Sequence, residues 1–213
     1  MANKNVVIFG CNDTAALAKF YLLHDTNYKP VAFTVDASYL KNDSYEDLPV
    51  VSFENIEKNY PPQYFDLFAP IHSNQLRENK FQEGIKKGYN FISYVSSKAT
   101  CWGKIGINCF VLEDNTIQPF VEIEDNCILW SGNHIGHHST IKHSTFVSSH
   151  VVVSGHCTVK SYCWLGVNAT IRDHITIEEG CLIGMASVVT KNTSSYKIYF
   201  GNPAKEQGIC GKN

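Results

Sequence analysis

Seven of the nine histidines in this 213-residue chain fall between residues 134 and 174. Neutral imidazole, with an ordinary pKa near 6.5, is suited to taking a proton from a reacting group near neutral pH, and it is also a common transition-metal ligand. Three of the seven, His138, His156 and His174, are eighteen residues apart. If the chain coils with that repeat they form a ladder on one edge, and such a ladder could bind metal. His137 stands directly before the first of them, and His134 three residues earlier. The eight cysteines are a second candidate set, as disulfides, zinc ligands or nucleophiles.

Any such chemistry depends on what positions these side chains, and the same stretch supplies the answer. Every sixth residue from Ile105 to Val189, through Ile117, Ile135, Val153 and Ile171, is aliphatic, fifteen times in succession. An α-helix would repeat at 3.6 and a hairpin sheet at two. A strict period of six predicts a parallel β-helix in which three short strands close a coil of eighteen residues and the aliphatic side chains stack inside. The residue two places before each aliphatic must share that narrow interior. It is small throughout, as at Cys109, Asn115, Ser139 and Ala169, except at Ile175. Cys109, Cys127, Cys157, Cys163 and Cys181 all occupy this register and are therefore expected indoors, as small apolar residues in a reducing compartment. No Cys-x-x-Cys pair favours metal.

Ahead of the repeat, Asn5–Gly10 reads as a short strand, residues 13–22 as a helix capped by Asp13 or Thr14, and Val31–Val35 as a second strand ending at Asp36. A β-α-β opening of this Rossmann type places ligands beyond the strand C-termini, at the helix N-terminus. Gly10, Asn12, Asp13, Thr14 and Asp36 are the candidate contacts for a nucleotide. Gly10-Cys11-Asn12-Asp13 lacks the full glycine fingerprint, and an aspartate after a strand is also an ordinary loop residue. Asn74–Tyr89 reads as a charged helix with Leu76, Phe81 and Ile85 on one side. The expected organisation is an α/β domain over 1–96, a β-helix over 97–192 and a turn-rich tail over 193–213.

Eighteen Lys and Arg against twenty Asp and Glu leave no basic run for nucleic acid, so a small molecule is the expected partner. The longest apolar runs fall far short of the roughly 18 residues needed to span a bilayer. The start Met-Ala-Asn-Lys leads into a strand rather than a signal peptide, so a cytoplasmic protein without membrane insertion is expected.

Three segments carry a resemblance. Trp164–Ile171, Ile183–Lys191 and the turn Gly201-Asn-Pro-Ala-Lys205 are similar to the closing section of the left-handed β-helix (hexapeptide-repeat) acyltransferases. With the small α/β domain in front, the whole chain resembles the sialic acid O-acetyltransferase family of bacterial sugar acetyltransferases, a group that includes N-acetyltransferases of nucleotide-linked 4-amino sugars. The resemblance implies a homotrimer and acetyl-CoA as donor, lying along the groove between adjacent β-helices. It also implies a sugar-nucleotide acceptor held by the N-terminal domain, and a place in surface-glycan biosynthesis. Positions expected along the coenzyme are Phe146, Gly155, Gly166, Gly184, Ala186, Asn202, Pro203 and Lys205.

In the resembled family the catalytic base is a histidine two places after an interior aliphatic, in an Ile-acid-His pattern. Ile135-Gly136-His137 occupies that register, which implies His137 as base, with His134 as the second candidate. The family's orienting acid after the histidine is replaced by His138, a further histidine near the coenzyme by Phe146, and the histidine before the first helix by Thr14. Counting eighteen from His137 reaches Gly155, which should stack beside it and is either a corner glycine or, as the family suggests, the oxyanion donor. Two other readings stand beside the acetyltransferase. One is a non-catalytic trimeric scaffold or sugar-nucleotide binding protein. The other is a metal-dependent hydratase of the β-helix carbonic anhydrase kind, favoured by the His138–His143 gap. No histidine in the preceding coils supplies the third ligand that fold uses, so no metal is expected.

Overall fold

The computed structural model describes residues 4–211. They divide into two compact units, one made of the residues up to His72 with Leu76–Ser93, the other of Ser73–Gln75 with the chain from Tyr94 onward.

In the first unit, β1 (Lys4–Phe9), β2 (Tyr28–Val35), β3 (Ser44–Tyr45), β4 (Leu48–Ser52) and β5 (Phe65–Phe68) form one sheet in the order β3-β4-β2-β1-β5. Its centre is parallel, and Val6, Val7 and Ile8 are fully buried, as expected for a strand covered on both faces. Gly10, at φ +117, turns the chain out of β1 into α1 (Asp13–Asp25). The cap of α1 is Asn12 rather than Asp13 or Thr14: its backbone is extended and its side chain accepts from Ala15 N at 3.1 Å.

The helix α2 (Asn74–Lys86) buries a different stripe from the one its apolar residues suggest. Leu76 and Ile85 are exposed, whereas Arg77, Lys80, Phe81 and Gly84 are buried at i, i+3, i+4 and i+7. The reasons lie in partners outside the helix's own periodicity. Arg77 Nη1 donates to the carbonyls of Ile71 and His72, and a Cβ on Gly84 would lie 2.5 Å from the Phe91 ring. Lys80 ion-pairs with Asp36 at 2.7 Å and Glu83 at 2.9 Å.

The second unit is a left-handed parallel β-helix. Its first sheet contains Thr116–Ile117, His134–Ile135, Val152–Val153, Thr170–Ile171 and Val188–Val189, and its second contains Glu122–Ile123, Thr140–Ile141, Thr158–Val159 and Thr176–Ile177. The third runs through Phe110–Val111, Ile128–Leu129, Phe146–Val147, Trp164–Leu165 and Leu182–Ile183. Pairings such as Ile117 with Ile135 and Val159 with Ile177 realise the eighteen-residue coil. The aliphatic stack is sealed from Val111 to Val189, with only Ile105 half-buried at its start. Each such side chain stabilises the fold by about 1.5–3 kcal/mol relative to exposure.

The small register inside the coil does more than fit. Cys109, Cys127, Cys157 and Cys163 each point Sγ at the carbonyl fifteen residues ahead, at 3.1–3.2 Å. Ser139 and Thr145 make the same bond through their hydroxyls, to Ser154 and Lys160. A corner residue sits in the left-handed region every sixth position, from Asn108 through His138, His156 and His174 to Ala186. The residues after 192, expected as a turn-rich tail, include two strands of the third sheet. Lys197–Phe200 pairs parallel with Leu182–Ile183, and Lys205–Ile209 returns antiparallel.

Candidate active site

His134 and His137 share a coil but not an environment. His134 lies in a first-sheet strand between Thr116 and Val152, half-buried. His137 lies in the turn from the first sheet to the second, exposed, with its backbone N–H donating to Gln118 Oε1 at 2.8 Å. Gln118 was not singled out by the sequence, since a lone glutamine in a turn carries no signal of its own.

The turn of the next coil brings Gly155 against the His137 ring. A Cβ added to Gly155 would lie 2.8 Å from His137 Cε1 and 2.9 Å from Nε2, so only glycine lets the imidazole edge settle there. Gly136 has the same constraint on its other side, because its Cβ would lie 2.6 Å from Gly155 N. His174 N donates to Gly155 O. The imidazole edge thus rests against the Gly155 backbone, whose N–H is left without a backbone acceptor among the described residues.

His137 Nδ1 lies 3.0 Å from His138 Nδ1. Two facing nitrogens can share only one hydrogen, so one ring donates and the other accepts. With the hydrogen on His137, its Nε2 keeps the lone pair and His138 takes the accepting role that a carboxylate fills elsewhere. His138 is in turn the second ring of a stack: Phe120 lies 4.7 Å from it, His156 4.9 Å, and His174 a further 4.8 Å beyond. Partial desolvation and the neighbouring imidazoles His174, His138 and His137 hold the His156 pKa below its ordinary value.

Two cysteines of the inner register are poor nucleophiles. Burial pushes the thiols of Cys157 and Cys163 up, away from the thiolate a nucleophile needs.

Of the positions expected along the coenzyme, only Gly155 is at the His137 corner. Gly166, Gly184 and Ala186 lie in turns from the third sheet to the first, a different corner of the coil. Asn202 and Pro203 are exposed in the turn between the last two strands and Lys205 is exposed at the start of the last, anchored where Val188 N donates to Gly201 O and Ala204 N to Val188 O. Phe146 is buried and stacks on Trp164 at 4.1 Å. A single chain therefore does not assemble these positions around His137.

In the first unit, Gly10, Asn12 and Asp36 line a crevice of about 690 Å³ at the C-terminal ends of β1 and β2. Tyr39, Lys41 and Tyr45 also line it, and none of the three was expected. Asp13 and Thr14 do not line it, and Thr14 Oγ1 instead lies 3.2 Å from His72 Nε2. The Asp36 carboxylate is held by Lys80 through Oδ1 at 2.7 Å.

No family model and no curated protein sequence matches the chain. Solved structures do. The acetyltransferase domain of PglB from Neisseria gonorrhoeae FA1090 superposes with a TM-score of 0.88 at 19% identity, over 96% of this chain and 100% of that one. PerB from Caulobacter crescentus, solved with CoA and GDP-perosamine, gives 0.88 at 21%, over 96% and 97%. WeeI from Acinetobacter baumannii AYE gives 0.65 at 17%, over 96% and 100%. At these identities the likeness establishes the fold, an α/β unit followed by a left-handed β-helix.

Proposed function

We propose that the protein is a sugar N-acetyltransferase that moves an acetyl group from acetyl-CoA to the amine of a nucleotide-linked amino sugar. The observation that carries this reading is the His137 ring seated on Gly155, with Nδ1 3.0 Å from His138 Nδ1 and Nε2 on the glycine side. Two of the structures that share the fold support the substrate class, since PerB was solved with CoA and GDP-perosamine and the PglB domain with acetyl-CoA.

The chemistry follows from the atoms. The sugar amine attacks the thioester carbonyl directly, Nε2 of His137 takes the proton the amine loses, and the Gly155 N–H holds the oxygen that becomes negative. Collapse expels the coenzyme thiolate, which recovers the proton from the imidazolium. His138 acts on His137 alone, accepting its Nδ1–H so that the lone pair stays on Nε2. No acyl-enzyme forms.

The crevice of the first unit suits the nucleotide, offering the exposed Tyr39 ring for a base and the Lys41 ammonium for a phosphate. The separation of Gly166 and Gly184 from His137 within one chain supports a homotrimer in which a neighbouring copy brings its coenzyme-binding turns to the His137 corner. The reaction belongs in bacterial surface-glycan biosynthesis and in the cytoplasm, where acetyl-CoA is made.

The test is thiol release from acetyl-CoA against a panel of nucleotide-linked 4-amino sugars that includes GDP-perosamine. Release that depends on an acceptor is expected. Absence of both release and coenzyme binding by calorimetry would leave a scaffold or sugar-nucleotide binding protein instead.

A further inference from the structure

The imidazole corner also has the donor set of a metal site. His137, His138 and His156 are all exposed, and each offers a ring nitrogen within 4.8 Å of the other two. We propose that these three side chains bind one zinc-class divalent cation, and that the bound ion switches the acyl-transfer corner off.

Three neutral imidazoles with no carboxylate in the set favour zinc, copper or nickel over magnesium or calcium, which prefer oxygen. A tetrahedral zinc with bonds of about 2.0–2.1 Å needs its ligand nitrogens roughly 3.4 Å apart. The Nδ1 atoms of His137 and His138 are already 3.0 Å apart. Bringing in His156 takes rotation of exposed rings out of their stack, while the bond from His156 N to His137 O at 3.0 Å keeps the two coils in register. The fourth position stays open to water.

The corner backbone gives a separate argument. His138, His156 and Phe120 all adopt φ between 58 and 66, a region that costs a side chain with Cβ about 1–2 kcal/mol. Rings also stand at left-handed corners in the other two columns, at His150 and Tyr162, but among the described residues only this column stacks rings in succession. Metal ligation explains two of them, while Phe120 covers one face of His138.

The metal site does not depend on the acetyltransferase reading, but its effect on rate does. An ion on His137 takes the lone pair that would accept the proton, so zinc should inhibit without competing with acetyl-CoA for its pocket.

The experiment is zinc calorimetry on the wild-type protein and on H156N and H174N. Asparagine tolerates the left-handed corner, so both variants should fold. His174 stands one rung beyond the three ligands and serves as the control. One zinc per chain at micromolar concentration is expected, with affinity reduced at least about tenfold in H156N and changed less than about threefold in H174N. Absence of wild-type binding, or equal binding by H156N, would overturn the site. In parallel, the zinc concentration that halves acetyl transfer should match the dissociation constant and rise in H156N. Zinc that binds as expected but leaves transfer untouched would keep the metal site and refute His137 as the base.

Discussion

Two corners of the β-helix share a backbone and differ in everything attached to it. Between the second and third sheets, Asn108, Asn126 and Ser144 sit at φ 53 to 63 and are buried to 1% exposure or less. Their side chains form a chain of hydrogen bonds, Asn108 Nδ2 to Asn126 Oδ1 at 2.6 Å and Asn126 Nδ2 to Ser144 Oγ at 2.8 Å. Between the first and second sheets, Phe120, His138, His156 and His174 sit at φ 58 to 66 and face solvent. These three residues tolerate a left-handed turn and satisfy their polar groups, and the column then continues to the half-buried Tyr162 at φ 60. The exposed corner uses costlier types and leaves ring nitrogens available. Stability thus explains the first column, and chemistry is needed to explain the second.

The strongest test of that division removes the base. H137A should lower kcat/KM for acetyl transfer by about a thousandfold, the range of a lost general base, while the thermal midpoint stays within about 2 °C of wild type. Loss of stability in proportion to activity would place His137 with the structural corner instead.

A smaller effect is expected one residue on. H138N offers a poorer acceptor to His137 Nδ1 and should reduce kcat about tenfold to a hundredfold with little change in KM for acetyl-CoA. H138D is the discriminating variant. A carboxylate beside the ring favours imidazolium, so the base must wait for higher pH and the acid limb of the pH–rate profile should move up. A purely structural role would lower activity in both variants without moving the profile.

The asparagine corner should behave in reverse. N126A removes both a donor and an acceptor from a sealed ladder, and should cost about 1–3 kcal/mol in chemical denaturation while the folded protein keeps wild-type kcat. A defect in transfer without loss of stability would collapse the distinction between the corners.

These predictions rest on features that differed in how far the sequence disclosed them. The coil was legible because one side chain in six is committed to the interior, and the eighteen-residue count placed His137 beside Gly155. The same count was open to Asn108, Asn126 and Ser144, yet amides in turns look like ordinary loop residues until burial is known. Smallness in the inner register was legible, but its purpose was not. Cysteine, serine and threonine are alike there because each can donate to the carbonyl fifteen residues ahead, which only the coil geometry shows. In α2 the apolar residues misled, because Arg77 and Lys80 are buried by bonds to partners distant in sequence or outside the helix, and a periodicity count cannot include those partners. The shared hydrogen between His137 and His138 was likewise invisible, since adjacency in sequence does not say that two rings face each other.

The smallest expected effect is at the end of the imidazole stack. H174N removes one ring-on-ring contact, worth about 0.5–1.5 kcal/mol, and relieves a left-handed penalty of similar size, because asparagine occupies that region more readily than histidine. The two terms nearly cancel, so the thermal midpoint should move by less than about 2 °C. His174 reaches His137 only through His156, so kcat/KM should stay within about twofold of wild type. A large loss of stability would show that the stack supports the coil as the asparagine ladder does. A large loss of activity at unchanged stability would extend the functional corner by one more coil.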